Sequence, residues 1–331
     1  MDHLKESDAI DQAARQLEAG QLVAFPTETV YGLGADAENP LAIRQIYAVK
    51  GRPADHPVIV HLAPGASVEY WAKNIPAQAY QLMAAFWPGP LTLILQRADH
   101  IPDTVSGGQA SIGVRCPSHP VAQALLLSFK NGQGGIAAPS ANKFGHVSPT
   151  TAQHVRDEFA DEIQRGAIRT VLEGGQSEVG IESSILDLTR LTTHGPVLLR
   201  PGHISAQAIE RVLGVPVQSA GAKVESSSVP SAPRASGTLD AHYAPNTPVV
   251  LVHGVVDADP DHGGEQRVGE RCQHQSQARH RQRSGDCLAV GDVKDVLQPG
   301  EPGRGEPGVH QAVGERVEFG AAPARHHQQQ E

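Results

Sequence analysis

At 331 residues the chain has room for one large domain and a smaller one, and its formal net charge of −9 argues against general nucleic-acid binding. Any contact with phosphate must therefore come from a local basic cluster. No apolar run approaches the roughly 18 residues of a membrane-spanning helix, and MDHLKESDAI lacks the basic and apolar regions of a secretory leader, so a cytoplasmic protein is expected. Cys116, Cys272 and Cys287 are odd in number and widely spread, which does not suit a disulfide framework. CPSH at 116–119 lacks the second half of a metal site, so no metal ligand set is expected.

Helical and strand patterns alternate from the start to about residue 214. Ser7 is a suitable N-cap for DAIDQAARQLEAG, which sets Ile10, Ala13, Ala14 and Leu17 on one face and stops at Gly20. LVAF then reads as a strand that ends in FPTETVYGLG (25–34), where small hydroxyls and glycines suit a ligand site. Asn39, Pro40 and Gly51 delimit a second helix, NPLAIRQIYAVKG. PVIVHL (57–62) and LTLILQ (91–96) read as buried strands on either side of the helix AQAYQLMAAFW, which PGP ends. SIGVRCP and GIAAPSAN follow as strands, and Thr150 is placed to cap the helix TAQHVRDEFADEI. TVLEGG, SSILDL and PVLLRPG complete the strand set, and Ser205 caps AQAIERVLG. Three strand pairs lack a helix between them, so an α/β domain with a mixed sheet is expected.

Polar residues recur where these apolar strands end. Lys50 and Arg52 stand one glycine apart after the second helix. Cations there can simply complement the helix dipole, but their place beside the strand ending in His61 favours a phosphate-facing role. Ser111 and Arg115 share one strand, and Ser140, Asn142, Lys143 and Ser148 fall in APSANKFGHVSPT. Ser183, Ser184 and Arg200 follow in GIESS and LLRPG. Hydroxyls and cations without paired carboxylates or a Ser-His-Asp spacing suit a phosphate-bearing ligand better than acyl hydrolysis. Neither a P-loop nor a dinucleotide fingerprint is present, and the glycines of NGQGGIAA precede a strand rather than follow one.

PTETVYGLG, KGRP…HPVIVHL, WPGPLTLIL, IGVRCP, APSANKFGHVSPT, GGQSEVGIESSILDL and VLLRPG, in this order over residues 8–214, resemble the Sua5/YciO/YrdC family. HYAP after a Ser/Pro-rich linker is similar to its longer Sua5 branch. The resemblance implies a twisted mixed sheet with surrounding helices around a concave basic cavity. It also implies a nucleotidyltransferase, a threonylcarbamoyl-AMP synthase, that condenses L-threonine, bicarbonate and ATP with release of pyrophosphate. Mg²⁺ would accompany the ATP. The product would reach tRNA position 37 indirectly, through a downstream threonylcarbamoyl transferase. Carried over by motif, Thr29, His61, Arg115, Ala138 and one of Ser183 and Ser184 would surround threonine. Lys50, Arg52, His56, Ser111, Ser140, Ser148 and Arg200 would hold ATP, Lys50 and Arg52 serving catalysis by neutralising phosphate charge. Tyr243 would close over the triphosphate from the linker. His56 stands where many relatives carry Asn, and it adds a titratable group there. Two other readings keep the fold: a module for double-stranded RNA or tRNA, and a carbamoyltransferase that forms a carbamoyl-adenylate.

The expected organisation is a catalytic domain over 1–217, a linker or lid over 218–245 and the remnant of a second domain over 246–331. The linker character is clearest in QSAGAKVESSSVPSAPRASGT (218–238). After the strand-like TPVVLV, residues 253–331 contain no isoleucine, one aromatic (Phe319) and two leucines (Leu288 and Leu297). Such a composition buries too little apolar area to offset an ordering cost of roughly 1–2 kcal/mol per residue. Beyond Val252 the stretch is therefore expected to be disordered or to be the product of a frameshift.

Overall fold

The computed structural model of the chain describes residues 2–219 and 233–235. It takes in the catalytic region from residue 2 and five residues of the linker. Tyr243 and the whole of 246–331 lie outside the described residues.

Eleven strands form one mixed sheet among the described residues. In chain order they are β1 (Leu22–Phe25), β2 (Gly32–Asp36), β3 (Ile59–Leu62), β4 (Ala72–Lys73), β5 (Leu91–Arg97) and β6 (Ser111–Arg115). β7 (Gly135–Ala137), β8 (Ile168–Val171), β9 (Ser184–Asp187), β10 (Val197–Arg200) and β11 (Gln218–Ser219) follow. In space they run β11-β10-β9-β5-β6-β3-β7-β2-β1-β8, with β4 beside β5. The pairs β3–β6, β5–β9, β1–β8 and β10–β11 are parallel and the others antiparallel.

Strand alternation divides the side chains between two faces. Val60, Leu62, Leu93, Leu95, Ile112, Val114, Leu186 and Leu198 join the main core. There they meet Ile43 and Ile46 of the helix Pro40–Lys50, Ala79 and Leu82 of Ala77–Phe86, and Ile209 of Ala206–Leu213. The opposite face is covered by helices only around β1 and β7. There Asp2–Glu18 and Pro120–Ser128 pack Leu17, Val121 and Leu125 on Val23, Phe25 and Ile136. The rest of that face carries Ile59 and His61 of β3, Thr92 and Ile94 of β5, Gly113 and Arg115 of β6, and Ile185 of β9. Among the described residues no helix covers it, and Ala235 of the linker packs against Ile94, Ile185 and Leu199. This half-open face is the floor of the site.

Several local signals place its walls. Asn39 caps the helix Pro40–Lys50 by accepting from Leu41 N and Ala42 N, and Gly51, at φ 63°, turns the chain out of it in the left-handed region that glycine favours. The turn leaves Lys50 against the carbonyls of Ser140 and Asn142 and Arg52 beside Pro57, just ahead of β3. Ser205 caps Ala206–Leu213 as expected. Two caps differ: the first helix already begins at Asp2, so Ser7 lies inside it, and Thr151 rather than Thr150 accepts from His154 N. Residues 151–163 form two short helices that meet at Phe159, not one. The glycines of FPTETVYGLG also differ from the reading as ligand space. They belong to β2, and a Cβ at Gly34 would lie 2.9 Å from both Phe25 and Ile136, so this glycine makes room for the chain's own core.

Candidate active site

The segment between β1 and β2 is built around Thr27. Its hydroxyl accepts from the backbone N–H groups of Thr29 (3.3 Å) and Val30 (3.2 Å) and donates to Val30 O at 2.6 Å. The two threonine hydroxyls lie 2.8 Å apart. Arg115 Nη1 donates to Thr29 Oγ1 at 3.0 Å. Thr29 Oγ1 keeps one further hydrogen-bonding position for a ligand.

Arg115 is held at three points. Nε donates to Gly89 O (3.2 Å), Nη1 to Thr29, and Nη2 to Glu28 Oε1 (2.5 Å) in an ion pair whose two side chains are almost completely buried. Glu28 Oε2 accepts from Ser118 N at 3.1 Å. His61 is the register partner of Arg115 across the parallel β3–β6 pair. Burial, then the neighbouring Arg115 charge, push its imidazole down to about 3, so it is neutral at any working pH. Its Nδ1 is buried with no hydrogen-bond partner among the described residues. Ala138 lies alongside, its N–H bonded to Ile59 O at 2.9 Å.

Ser183 and Ser184 take opposite faces. Ser183 Oγ lies 2.8 Å from Thr92 Oγ1 and accepts from Arg200 Nη2 at 3.1 Å. Ser184 Oγ donates to Ile204 O at 2.7 Å, on the side of the helix Ala206–Leu213. The structure brings Ser183 to the cluster and turns Ser184 away from it.

A second cluster adjoins the first through Ser183. Arg200 donates from Nε to Ser183 O at 3.0 Å and pairs through Nη1 with Glu182. Ser148 Oγ donates to the other oxygen of Glu182 at 2.9 Å. Lys50 is buried, and its Nζ donates to Ser140 O at 2.6 Å and to Asn142 O. Burial, then Arg52, push its ammonium down to about 7, while the Glu182 carboxylate acts the other way. Arg52 Nη2 donates to Pro57 O at 2.8 Å, and its guanidinium stands 5.9 Å from the Phe144 ring centroid. His56 meets the same ring edge-on, and burial followed by Arg52 lowers its pKa. The 140–146 loop is tied to this cluster by Phe144 N, which donates to Lys50 O at 2.8 Å. Asn142 Nδ2 closes the loop on Lys143 O (2.7 Å) and His146 O (2.9 Å). Ser111, on the same strand face as Gly113 and Arg115, lines a depression with Ile59, Ile94, Gly113, Arg234 and Ala235 beside Pro57, whose carbonyl accepts from Arg52.

Two carboxylates therefore stand among the cations and hydroxyls, where sequence reading expected almost no paired acids. Glu28 and Glu182 are the functional-site residues it missed. The sequence carries a signal for both: each is the one acid inside a strand-end motif, PTETVYGLG and GIESS, next to Thr29 and Ser183. Lys143, by contrast, is engaged with Glu162 and stacked 5.1 Å over Phe159, away from any ligand role visible here.

The profile of the Sua5/YciO/YrdC family, described as "Telomere recombination", matches residues 15–202. The chain belongs to the Sua5/YciO/YrdC family. A second profile, for the C-terminal domain of threonylcarbamoyl-AMP synthase, matches residues 204–304, starting within the described residues just before the helix Ala206–Leu213 and running past Val252. The chain is 43% identical over 246 residues to the threonylcarbamoyl-AMP synthase of Pyrococcus abyssi (strain GE5 / Orsay), a match covering 74% of this chain and 68% of that one. It is 41% identical over 255 residues to the Bacillus subtilis (strain 168) protein of the same name, covering 76% and 69%. Among solved structures, P. abyssi Sua5 complexed with L-threonine superposes with a TM-score of 0.64 at 42% identity, covering 72% of this chain and 66% of that one. E. coli YciO, at 22% identity and a TM-score of 0.52, shares the fold of this family.

Proposed function

We propose that the chain is a threonylcarbamoyl-AMP synthase of the Sua5 branch, a nucleotidyltransferase that joins L-threonine, bicarbonate and ATP and releases pyrophosphate. The observation that carries the reading is the contact between the two clusters. Ser183, beside the Thr29–Arg115–His61 group, accepts directly from Arg200 of the cation- and hydroxyl-rich group. An amino acid on the first would meet a nucleoside triphosphate on the second over one sheet face.

In this reading Thr29 hydrogen-bonds the amine or hydroxyl of threonine and Arg115 donates to its carboxylate. His61 stays neutral and offers a hydrogen bond rather than charge. Lys50, Arg52, Ser140, Ser148 and Arg200 hold the phosphates, with His56 and Ser111 at the margins. Ala138 and Ser183 complete the threonine wall. The threonine amine and bicarbonate give an N-carboxylate with loss of water, and an oxygen of that carboxylate attacks the α-phosphorus as the bond to pyrophosphate breaks. Lys50 and Arg52 neutralise charge that grows on the phosphate oxygens, so positioning and electrostatics carry the catalysis. Mg²⁺ would enter with the ATP, as part of the nucleotide substrate. The adenylate would then be consumed by a downstream transferase acting on tRNA.

Incubation with ATP, labelled threonine and bicarbonate tests this directly. Pyrophosphate and a threonine-dependent adenylate are expected. An adenylate formed from carbamoyl phosphate but not from threonine would favour the carbamoyltransferase reading, and a tRNA gel shift without any adenylate would favour the binding module.

A further inference from the structure

We infer that Glu28 is the positioning residue of the site: it fixes the Arg115 guanidinium so that two of its N–H groups face the amino-acid substrate. The inference rests on the assignment of Arg115 to the threonine carboxylate.

Hydrogen counting carries it. A guanidinium has five N–H groups in a rigid plane. Gly89 O, Thr29 Oγ1 and Glu28 Oε1 take three of them, one each from Nε, Nη1 and Nη2. One N–H remains on each terminal nitrogen, which is what a carboxylate accepts as a two-pronged pair. The plane can present them only if it does not rotate. Of its three anchors, the Gly89 carbonyl and the Thr29 hydroxyl are neutral and Glu28 alone is charged. In a site this buried the charged contact is the strongest of the three.

Glu28 is itself locked. Its second oxygen accepts from Ser118 N, and its backbone carbonyl accepts from Val179 N at 2.8 Å. Ser118 lies two residues before the helix Pro120–Ser128, so the carboxylate braces Arg115 against a rigid element. A second consequence concerns charge. Glu28 balances Arg115, which leaves the amino-acid end close to neutral, suited to a zwitterion, while Lys50, Arg52 and Arg200 serve the polyanion.

The test is direct binding on the full chain, with threonine and ATP measured separately by calorimetry for wild type, Glu28→Gln, Glu28→Ala, Arg115→Ala and the double variant Glu28→Ala/Arg115→Ala. Glu28→Ala is expected to weaken threonine by about tenfold or more, as loss of a charged hydrogen-bond partner implies, and ATP by less than about twofold. Glu28→Gln keeps the shape and one acceptor, so it should weaken threonine by a smaller factor, roughly two- to fivefold. In the Arg115→Ala background the Glu28 change should add less than about twofold, because a residue that acts through another has nothing left to act on. In nitrogen-15 spectra the slowly exchanging Arg115 side-chain signal of wild type should be lost in Glu28→Ala and kept in Glu28→Gln. If Glu28→Ala does not fold, Glu28→Gln carries the test alone. Unchanged threonine binding, equal losses for both ligands, or losses that multiply in the double variant would overturn the inference. Failure of wild type to bind threonine at all would instead overturn the functional reading, while the Arg115 signal would still report on the brace.

Discussion

Lys50 shows how far residue-level chemistry can be taken. The cation that the proposed function sets against phosphate is buried until its pKa falls to about 7, and two carbonyl oxygens hold its nitrogen in place. In the free protein above neutral pH the group is therefore largely uncharged, and an arriving polyanion restores the proton. ATP binding at pH 8 should take up a proton. Calorimetry in buffers of different ionisation enthalpy should show it as a slope that Lys50→Arg abolishes, since a guanidinium stays charged throughout. An identical slope in the variant would sink the idea. The two clusters also predict a partition. Lys50→Ala or Arg52→Ala should weaken ATP far more than threonine, whereas Thr29→Ala should weaken threonine by one hydrogen bond, about 0.5–1.5 kcal/mol, and leave ATP unchanged. Equal losses for both ligands in any of the three would contradict the division. The cations and hydroxyls were legible in the chain because each stands at the end of an apolar run. Glu28 and Glu182 were not, because a carboxylate shows its purpose only when the guanidinium it faces, from a strand 87 or 18 residues away, is known.

At the level of elements, strands and helices with strong periodicity or caps were recovered closely: Pro40–Lys50, Ala77–Phe86, Leu91–Arg97 and Ala206–Leu213. Failures came where a local signal competed with tertiary contacts. β2 carries two glycines, a poor strand composition, yet pairs with β1 and β7 because only glycine fits beneath Phe25 and Ile136. The 138–149 segment has no regular structure of its own and is shaped by bonds to Lys50 and by Asn142. That gives an element-scale prediction. Asn142→Ala removes the side chain that closes the loop on Lys143 O and His146 O, leaving carbonyl oxygens short of partners at a cost of about 1–3 kcal/mol. Because the same loop supplies Ser140 and Ser148, ATP affinity should fall with the melting temperature while threonine affinity holds. A variant with a lowered melting temperature and unchanged ATP affinity would show that the loop shape does not matter to the nucleotide.

On the scale of the whole molecule, bulk charge said little about the ligand, because a net −9 coexists with Lys50, Arg52 and Arg200 in one local cluster. Downstream, the change of composition after Val252 falls inside a family match that runs on to residue 304. Translation of the encoding DNA in its other two frames past Val252 discriminates: an alternating apolar pattern in one of them is expected if the register is shifted, and stop-filled frames would refute a shift. The pH dependence of stability also belongs to the molecule as a whole, because it sums buried groups from several elements. His61 ordinarily titrates near 6.5 and is held at about 3, so between those values the unfolded chain binds a proton that the folded chain does not. Lys50 ordinarily titrates at 10.5 and is held at about 7, which creates the same imbalance between 7 and 10.5. In both windows protons favour the unfolded state, so the contribution of each group rises with pH and is lost on acidification. Urea midpoints should climb in wild type through the acid window and from 7 to about 9, above which Cys116, whose thiol burial holds up at about 11, works in the opposite direction. His61→Gln should flatten the acid window alone and Lys50→Met the alkaline window alone, because each variant removes one proton from the unfolded chain's account and leaves other titrating groups in place. Profiles that stay parallel to wild type in both variants would mean that neither group is held neutral by the fold.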